Sequence, residues 1–342
     1  MVEQPLVTIV LPIRNEASHI ARCLDAVIAQ DYSPEKIEII VADGQSDDGT
    51  REIATQYSVR DPRLRLMDNP NRIVPTALNR AIRTARGEVI IRVDGHAVIA
   101  SDYVRRCVEV LGEVDADCVG GPIETVGETP MSRAIALAQS SPFGVGSAAF
   151  RYARDARYVD TLAFGAHRRG VFDRVGWFDE TLVRNQDDEF NYRLIREGGK
   201  IWLDPRSRST YFSRATLRKL WDQYFGYGFW KIRVIQKHRS VASWRHLVPA
   251  ALVVTLMGAM IASLLLQNFA PFLLIALIYL SGSLGVSLIQ SARNGRRYFH
   301  MLVPAFAAMH FGYGCGFLYG MIRWNLPSWS GIARRQSHET SL

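Results

Sequence analysis

Three aspartates and a histidine stand where this chain's pattern can do chemistry. Asp43 follows a short apolar run at residues 37–41, and Asp94 follows another at residues 89–93, two positions before His96. A carboxylate and an imidazole at that spacing can ligate a divalent cation, which serves as a Lewis acid toward negative charge on a leaving group. Asp187, in Gln186-Asp187-Asp188-Glu189, opens a helical stretch, and a carboxylate placed there can take the proton of an attacking hydroxyl; Asp188 is the second choice. These residue types also have structural uses. Aspartate after a strand forms turns, and acids in a helix's first turn favour its dipole. A loop histidine can simply bond its neighbours.

The elements that would carry these residues form a regular series. Strand-like runs at residues 6–11, 37–41, 64–67 and 89–93 alternate with helical patterns at residues 16–30, 50–57 and 76–85. Strands nearly free of polar residues, joined by helices, predict an α/β fold with a mostly parallel sheet covered on both faces. Ligands gather beyond the carboxyl ends of such strands, where Asp43 and Asp94 lie. Further on, the pattern predicts a helix over residues 102–111, a short strand near Cys118, a helix over residues 187–197 and a strand over residues 200–203.

Composition divides the 342 residues. Residues 1–214 read as a soluble domain, 215–246 as a basic amphipathic segment, 247–322 as membrane and 323–342 as a polar tail. Apolar stretches at residues 247–266, 269–289 and 301–322 each approach the roughly 20 residues of a spanning helix. The third, with His310 and many glycines, is the one whose course could instead be re-entrant. Lys231, Arg233, Lys237, Arg239, Arg245, Arg293, Arg296 and Arg297 on one side outnumber Arg323, Arg334 and Arg335 on the other, which places the large domain in the cytoplasm. In the segment before the spans, Leu217, Leu220, Trp221, Tyr224, Val234 and Ile235 recur at helical spacing among basic residues. Such a helix lies in the membrane interface or packs on the soluble domain. The net charge of +8 is explained by basic residues beside the spans, and no separate basic face indicates nucleic acid. Four scattered cysteines form no C-x-x-C pair and fit a reducing compartment. The first apolar run is too short for a signal peptide and reads as a strand.

Taken in order, the motifs resemble the family 2 inverting glycosyltransferases with the nucleotide-binding GT-A fold. Thr8-Ile9-Val10-Leu11-Pro12-Ile13-Arg14-Asn15-Glu16 is similar to that family's opening strand and turn, and Val41-Ala42-Asp43-Gly44-Gln45-Ser46-Asp47-Asp48-Gly49-Thr50 to its acidic nucleotide segment. Val93-Asp94-Gly95-His96 falls at its metal motif, and Gln186-Asp187-Asp188-Glu189 at its catalytic acidic motif. The resemblance implies a Rossmann-like GT-A domain followed by an interfacial helix and transmembrane helices. It implies that Pro12, Asn15, Glu16, Asp43 and Asp94 meet a nucleotide sugar, with Asp43 at the uracil or ribose end. It further implies that Asp94 and His96 hold Mn2+ or Mg2+, with His96 standing where the family usually has another aspartate, and that Asp187 is the base.

Gly165-Ala166-His167-Arg168-Arg169 resembles the segment bordering the acceptor pocket, where Arg168 and Arg169 either meet a diphosphate or form a solvated edge. Gln223 and Trp230 fall where processive synthases have Gln-x-x-Arg-Trp, but the Arg-Trp pair is absent. That absence favours adding one sugar, from a UDP-hexose, to a hydroxyl of a polyprenyl-diphosphate-linked saccharide. The D-x-H form and the membrane region look like those of bacterial exopolysaccharide glucosyltransferases such as those of succinoglycan synthesis. A polyprenyl-phosphate sugar synthase, a processive synthase and an inactive membrane scaffold are the competing readings.

Overall fold

The computed structural model describes residues 4–240 and 243–325, so most of the expected polar tail, with Arg334 and Arg335, lies outside the described residues. The chain packs as two units. Residues 4–124 and Ala149–Tyr211 form the first, while Thr125–Ala148 and the described residues of 212–325 form the second. Residues 125–148, which the sequence assigned to the soluble domain, thus pack with the C-terminal helices.

The first unit opens with β1 (Val7–Ile13), α1 (Ile20–Ile28), β2 (Ile37–Asp43), α2 (Thr50–Arg60), β3 (Leu64–Asp68), α3 (Val74–Thr84) and β4 (Val89–Arg92). These four strands pair in parallel in the order β3-β2-β1-β4, the expected βαβ series. β5 (Ala97–Ile99), α4 (Tyr103–Glu113), β6 (Cys118–Gly120) and β7 (Ile123–Val126) follow. The chain then enters α5 (Pro130–Gln139) and α6 (Pro142–Val145) of the second unit. It returns as β8 (Arg157–Tyr158), β9 (Ala166–Arg168), α7 (Gly170–Val175), α8 (Gln186–Arg196), β10 (Ile201–Leu203) and β11 (Ser209–Phe212). The main sheet has eight strands in the order β3-β2-β1-β4-β9-β6-β10-β8. β9 runs antiparallel to both β4 and β6, and β8 antiparallel to β10, so the sheet is mostly parallel.

Alternation along β1 builds both cores. Val7, Ile9 and Leu11 meet Leu24 and Val27 of α1 and Val104 and Cys107 of α4. Val10 turns the other way, onto Leu78 and Ala81 of α3, Phe172 of α7 and Phe190 of α8. Side chains two apart share a face, and each one fully buried contributes about 1.5–3 kcal/mol. This rigid sandwich holds the carboxyl ends of β1, β2 and β4 side by side.

The second unit adds α9 (Leu217–His238), α10 (Val248–Leu265), α11 (Ala270–Asn294) and α12 (Phe299–Asn325). Three stretches, Trp244–Leu265, Ala270–Asn294 and Arg296–Trp324, are long and apolar enough to cross a membrane. α10 and α11 expose large apolar side chains, Leu265 at 80%, Leu274 at 60% and Leu288 at 62%. α12 instead buries Leu302, Ala305, Phe306 and Met309, and continues as one helix through Pro304 rather than breaking into a re-entrant loop.

α9 runs along α12, a partner the sequence reading did not name. Gly312, Gly316 and Gly320 form one stripe of α12. A β-carbon on Gly316 would stand 2.1 Å from the Phe225 carbonyl oxygen, and one on Gly228 of α9 would stand 2.1 Å from that of Tyr313. Small residues at four-residue spacing let helix backbones approach this closely. Gly316→Leu is expected to part the two helices and lower the thermal midpoint of the full chain in detergent by several degrees or more, since overpacking costs about 1–3 kcal/mol. An unchanged midpoint would show that α9 is not seated there.

Candidate active site

All the acidic candidates lie in the first unit, at the carboxyl edge of its parallel strands. Asp43 is the last residue of β2 and is fully buried. One carboxylate oxygen accepts from Ser46 Oγ at 2.6 Å, and the other from Arg51 at 2.9 Å. Arg51 also meets Asp68 at 2.7 Å, at the end of β3. Asp43 therefore orders the loop after β2 from beneath.

That loop is tied to the one after β1. Asn15, at φ 54°, donates its N–H to Ser46 Oγ at 3.0 Å and accepts the Asp47 N–H on Oδ1 at 3.1 Å. The Glu16 N–H donates to Thr50 Oγ1 at 2.7 Å. Pro12 lies buried in β1, two residues before this loop. Pro12, Asn15 and Glu16 thus form one edge of the site, and the segment from Gly44 to Thr50 forms the next.

Asp94 and His96 occupy the turn after β4. His96 Nδ1 is 2.7 Å from Glu16 Oε1, and its ring meets Tyr211 edge-on at 5.2 Å. An ionised carboxylate only accepts, so Nδ1 carries the proton, and in the neutral ring Nε2 presents its lone pair. A histidine that ligates a metal almost always donates its other N–H in this way, and the donor set therefore fits a divalent cation. Gly95 permits the pairing, because a β-carbon there would stand 3.1 Å from Glu16 Cγ and 3.0 Å from Ile13 Cγ2. Glu16, grouped by its motif with the nucleotide contacts, is also the residue that orients His96.

Arg92, which the sequence reading missed, ends β4 two residues before Asp94. Its guanidinium chelates the Asp94 carboxylate at 2.8 and 3.2 Å, and reaches Asp187 Oδ2 at 3.5 Å. Burial works against the charge on Asp94, yet the Arg92 guanidinium outweighs it and holds this carboxyl below the usual carboxylate range. Beside β4, His167 of β9 is buried with Nδ1 on the Gly165 carbonyl at 3.1 Å. Burial pushes its pKa down to about 4, so it stays neutral near Arg92.

The acidic run that opens α8 divides by side-chain direction. Glu189 is fully buried against Arg193, which also donates to the carbonyls of Val175 and Trp177 and so fastens α8 behind α7. Asp187 is half-exposed and faces Arg92, while Asp188 donates its N–H to Asp187 Oδ1 at 2.9 Å. Geometry thus joins Asp187 to the Asp94 cluster. Among the described residues no group of three or more His, Cys, Asp or Glu side chains could hold a cation alone. Asp94 and His96 would supply two ligands, with substrate oxygens and water completing the shell.

Arg168 and Arg169, read as bordering the acceptor, lie elsewhere on the sheet. The pairing of β9 with β4 sets Arg168 beside Val89, at the opposite end of β4 from Asp94. Arg168 bonds the carbonyls of Ala116 and Leu111, and Arg169 those of Ala85 and Gly87, so both are spent on backbone. Gln223 and Trp230 belong to α9 of the second unit. Gln223 donates to Tyr227 Oη at 2.9 Å, and Trp230 packs against Trp324 at 5.4 Å.

The family model described as glycosyl transferase family 2 matches residues 8–176, a span that contains Asp43, Asp94 and His96. The chain is 32% identical to the succinoglycan biosynthesis protein ExoA of Rhizobium meliloti over 90% of this chain and 93% of that one. It is 28% identical to a Methanococcus voltae dolichyl N-acetyl-α-D-glucosaminyl phosphate 3-β-D-2,3-diacetamido-2,3-dideoxy-β-D-glucuronosyltransferase over 80% and 87%. A solved Pyrobaculum calidifontis mannosyltransferase, in complex with GDP-Man and Mn2+, shares the fold with a TM-score of 0.61 at 21% identity, over 90% of this chain and 88% of that one. With a carboxylate cluster at the edge of a GT-A-like sheet and relatives matched over nearly its whole length, the chain belongs to glycosyl transferase family 2.

Proposed function

We propose that the chain is an inverting glycosyltransferase that moves a hexose from a UDP-sugar to a hydroxyl of a lipid-linked saccharide in exopolysaccharide assembly. The observation that carries this reading is Arg92, whose guanidinium contacts both the cation-ligand candidate Asp94 and the base candidate Asp187. One charged cluster thus contains a group for the donor side and a group for the acceptor side. The succinoglycan biosynthesis relative supports the pathway class, and the archaeal relative, named for a dolichyl-phosphate-linked sugar acceptor, supports a lipid-linked one.

In this reading Asp43, Ser46 and Asn15 order the two loops that clasp the nucleotide, and Pro12 fixes the strand beneath them. Asp94 and His96 hold Mn2+ or Mg2+, which when bound supplies positive charge at the donor diphosphate. Asp187 accepts the proton of the acceptor hydroxyl as its oxygen attacks the anomeric carbon from the face opposite the departing nucleotide diphosphate. That direction of attack inverts the carbon. The basic excess around α9, α10 and the α11–α12 loop supports a catalytic unit on the cytoplasmic face.

The His96–Glu16 pair gives a direct check on the cation site. Glu16→Ala is expected to weaken Mn2+ binding about 10–100-fold by isothermal titration in the presence of UDP, because the ring loses the acceptor that fixes its tautomer. Unchanged affinity would remove His96 from the ligand set. The function itself is tested by offering the full chain UDP- and GDP-sugars, Mn2+ and a polyprenyl-diphosphate saccharide, then analysing the product. A single glycosidic bond to a sugar hydroxyl is expected. A sugar joined through one phosphate identifies a polyprenyl-phosphate sugar synthase instead, and a lengthening product a processive one.

A further inference from the structure

A second cluster of charge lies in the other unit, at the start of α12. Tyr298 has its ring buried among Ala134 and Ile135 of α5 and Leu302 and Phe306 of α12, and its hydroxyl faces two guanidinium groups. Arg297 donates to Tyr298 Oη at 2.9 Å, and Arg133 of α5, which donates to the Gly127 carbonyl at 3.1 Å, brings a second guanidinium near the same oxygen.

A phenol oxygen has two lone pairs and one proton. Arg297 takes one lone pair, and the O–H proton is left to donate to an acceptor of its own. Among the described residues neither Arg133 nor Arg297 has a carboxylate partner. Two guanidinium groups, one from α5 and one from the α11–α12 loop, and the phenol hydroxyl thus lie together, with no carboxylate paired to either cation among the described residues. Scattered basic residues beside a membrane need no such focus, because like charges separate in water. A phosphate supplies the missing acceptor oxygens and neutralises the cations, the pairing that guanidinium geometry favours.

Position on the fold identifies the source of that phosphate. Leu288 and Ile289, 62% and 53% exposed, continue the apolar outer face of α11, and Arg293, Arg296 and Arg297 follow where that face stops. Cations at such a boundary sit at the level of lipid headgroups. We propose that Arg133, Tyr298 and Arg297 form a binding site for the phosphate of an anionic membrane lipid.

The test uses the full chain in detergent, titrated with short-chain phosphatidylglycerol, phosphatidylcholine of equal chain length, and inorganic phosphate, with binding read by native mass spectrometry. The wild type is expected to bind one phosphatidylglycerol about 10-fold more tightly than phosphatidylcholine. Arg133→Gln with Arg297→Gln should abolish that preference. Tyr298→Phe, which keeps the packed ring and removes only the hydroxyl, should weaken it several-fold, and Arg133→Lys with Arg297→Lys should retain part of it. The proposal is overturned if the wild type shows no preference, or if the preference is unchanged in both the glutamine and phenylalanine variants. Inorganic phosphate binding as tightly as the lipid would overturn the lipid assignment.

Discussion

Asp187→Asn is expected to lower kcat by about 10²–10⁴-fold while leaving Mn2+ and nucleotide affinity within about twofold of the wild type. The amide keeps the size of the side chain and its place at the head of α8, but it cannot accept a proton from the acceptor hydroxyl. Asp187 is half-exposed and faces Arg92, whereas Glu189 is locked against Arg193, so the loss should belong to the base and not to the packing of α8. Asp188→Asn serves as the comparison, with a much smaller loss expected. Steady-state kinetics with saturating donor separates the two. If Asp188→Asn were the damaging change and Asp187→Asn the mild one, the assignment would pass to the neighbouring residue.

The second large effect is expected at Arg92. Arg92→Gln removes the bidentate partner of Asp94 and the cation facing Asp187 in one step, leaving two carboxylates to repel each other across the site. A hydrogen bond to a charged group contributes roughly 1.5–3 kcal/mol, so kcat/KM should fall about 10–10²-fold for the Asp94 contacts alone, with a further loss from Asp187. Arg92→Lys restores the charge without the planar fork and should recover only part of the activity. A residue that merely supported the fold would reduce active-enzyme content and leave KM for the donor unchanged. Arg92→Gln should instead raise that KM and lower kcat together. Wild-type kinetics in Arg92→Gln would detach the donor side from the base.

Much of this site was legible because its acids lie at strand ends and a helix start that the apolar pattern marks clearly. The βαβ series delivered Asp43 and Asp94 to one edge of the sheet, and α8 begins at Gln186, within a residue of its expected start. Arg92 was missed, although it lies two residues before Asp94 and a strand places such residues on the same side. The partnership of Glu16 with His96 joins positions 80 residues apart and leaves no local trace.

Registers beyond β4 were equally hidden. β9 enters antiparallel to its neighbours, and that reversal carries Arg168 to the far end of β4. The placement of residues 125–148 with the C-terminal helices is a tertiary fact, though Thr129 capping a helix with Pro130 at its first position does signal α5 in the sequence. The glycine stripe of α12, which seats α9, is written in Gly312, Gly316 and Gly320 once helical spacing is applied to them.

Direct displacement at the anomeric carbon, with Asp187 deprotonating a sugar hydroxyl, is read from the anomeric configuration of the first product formed. NMR of the lipid-linked saccharide made from an α-linked UDP-hexose should show a single new β-glycosidic bond. A product of retained α configuration, or a sugar carried on a phosphate oxygen, would contradict the account.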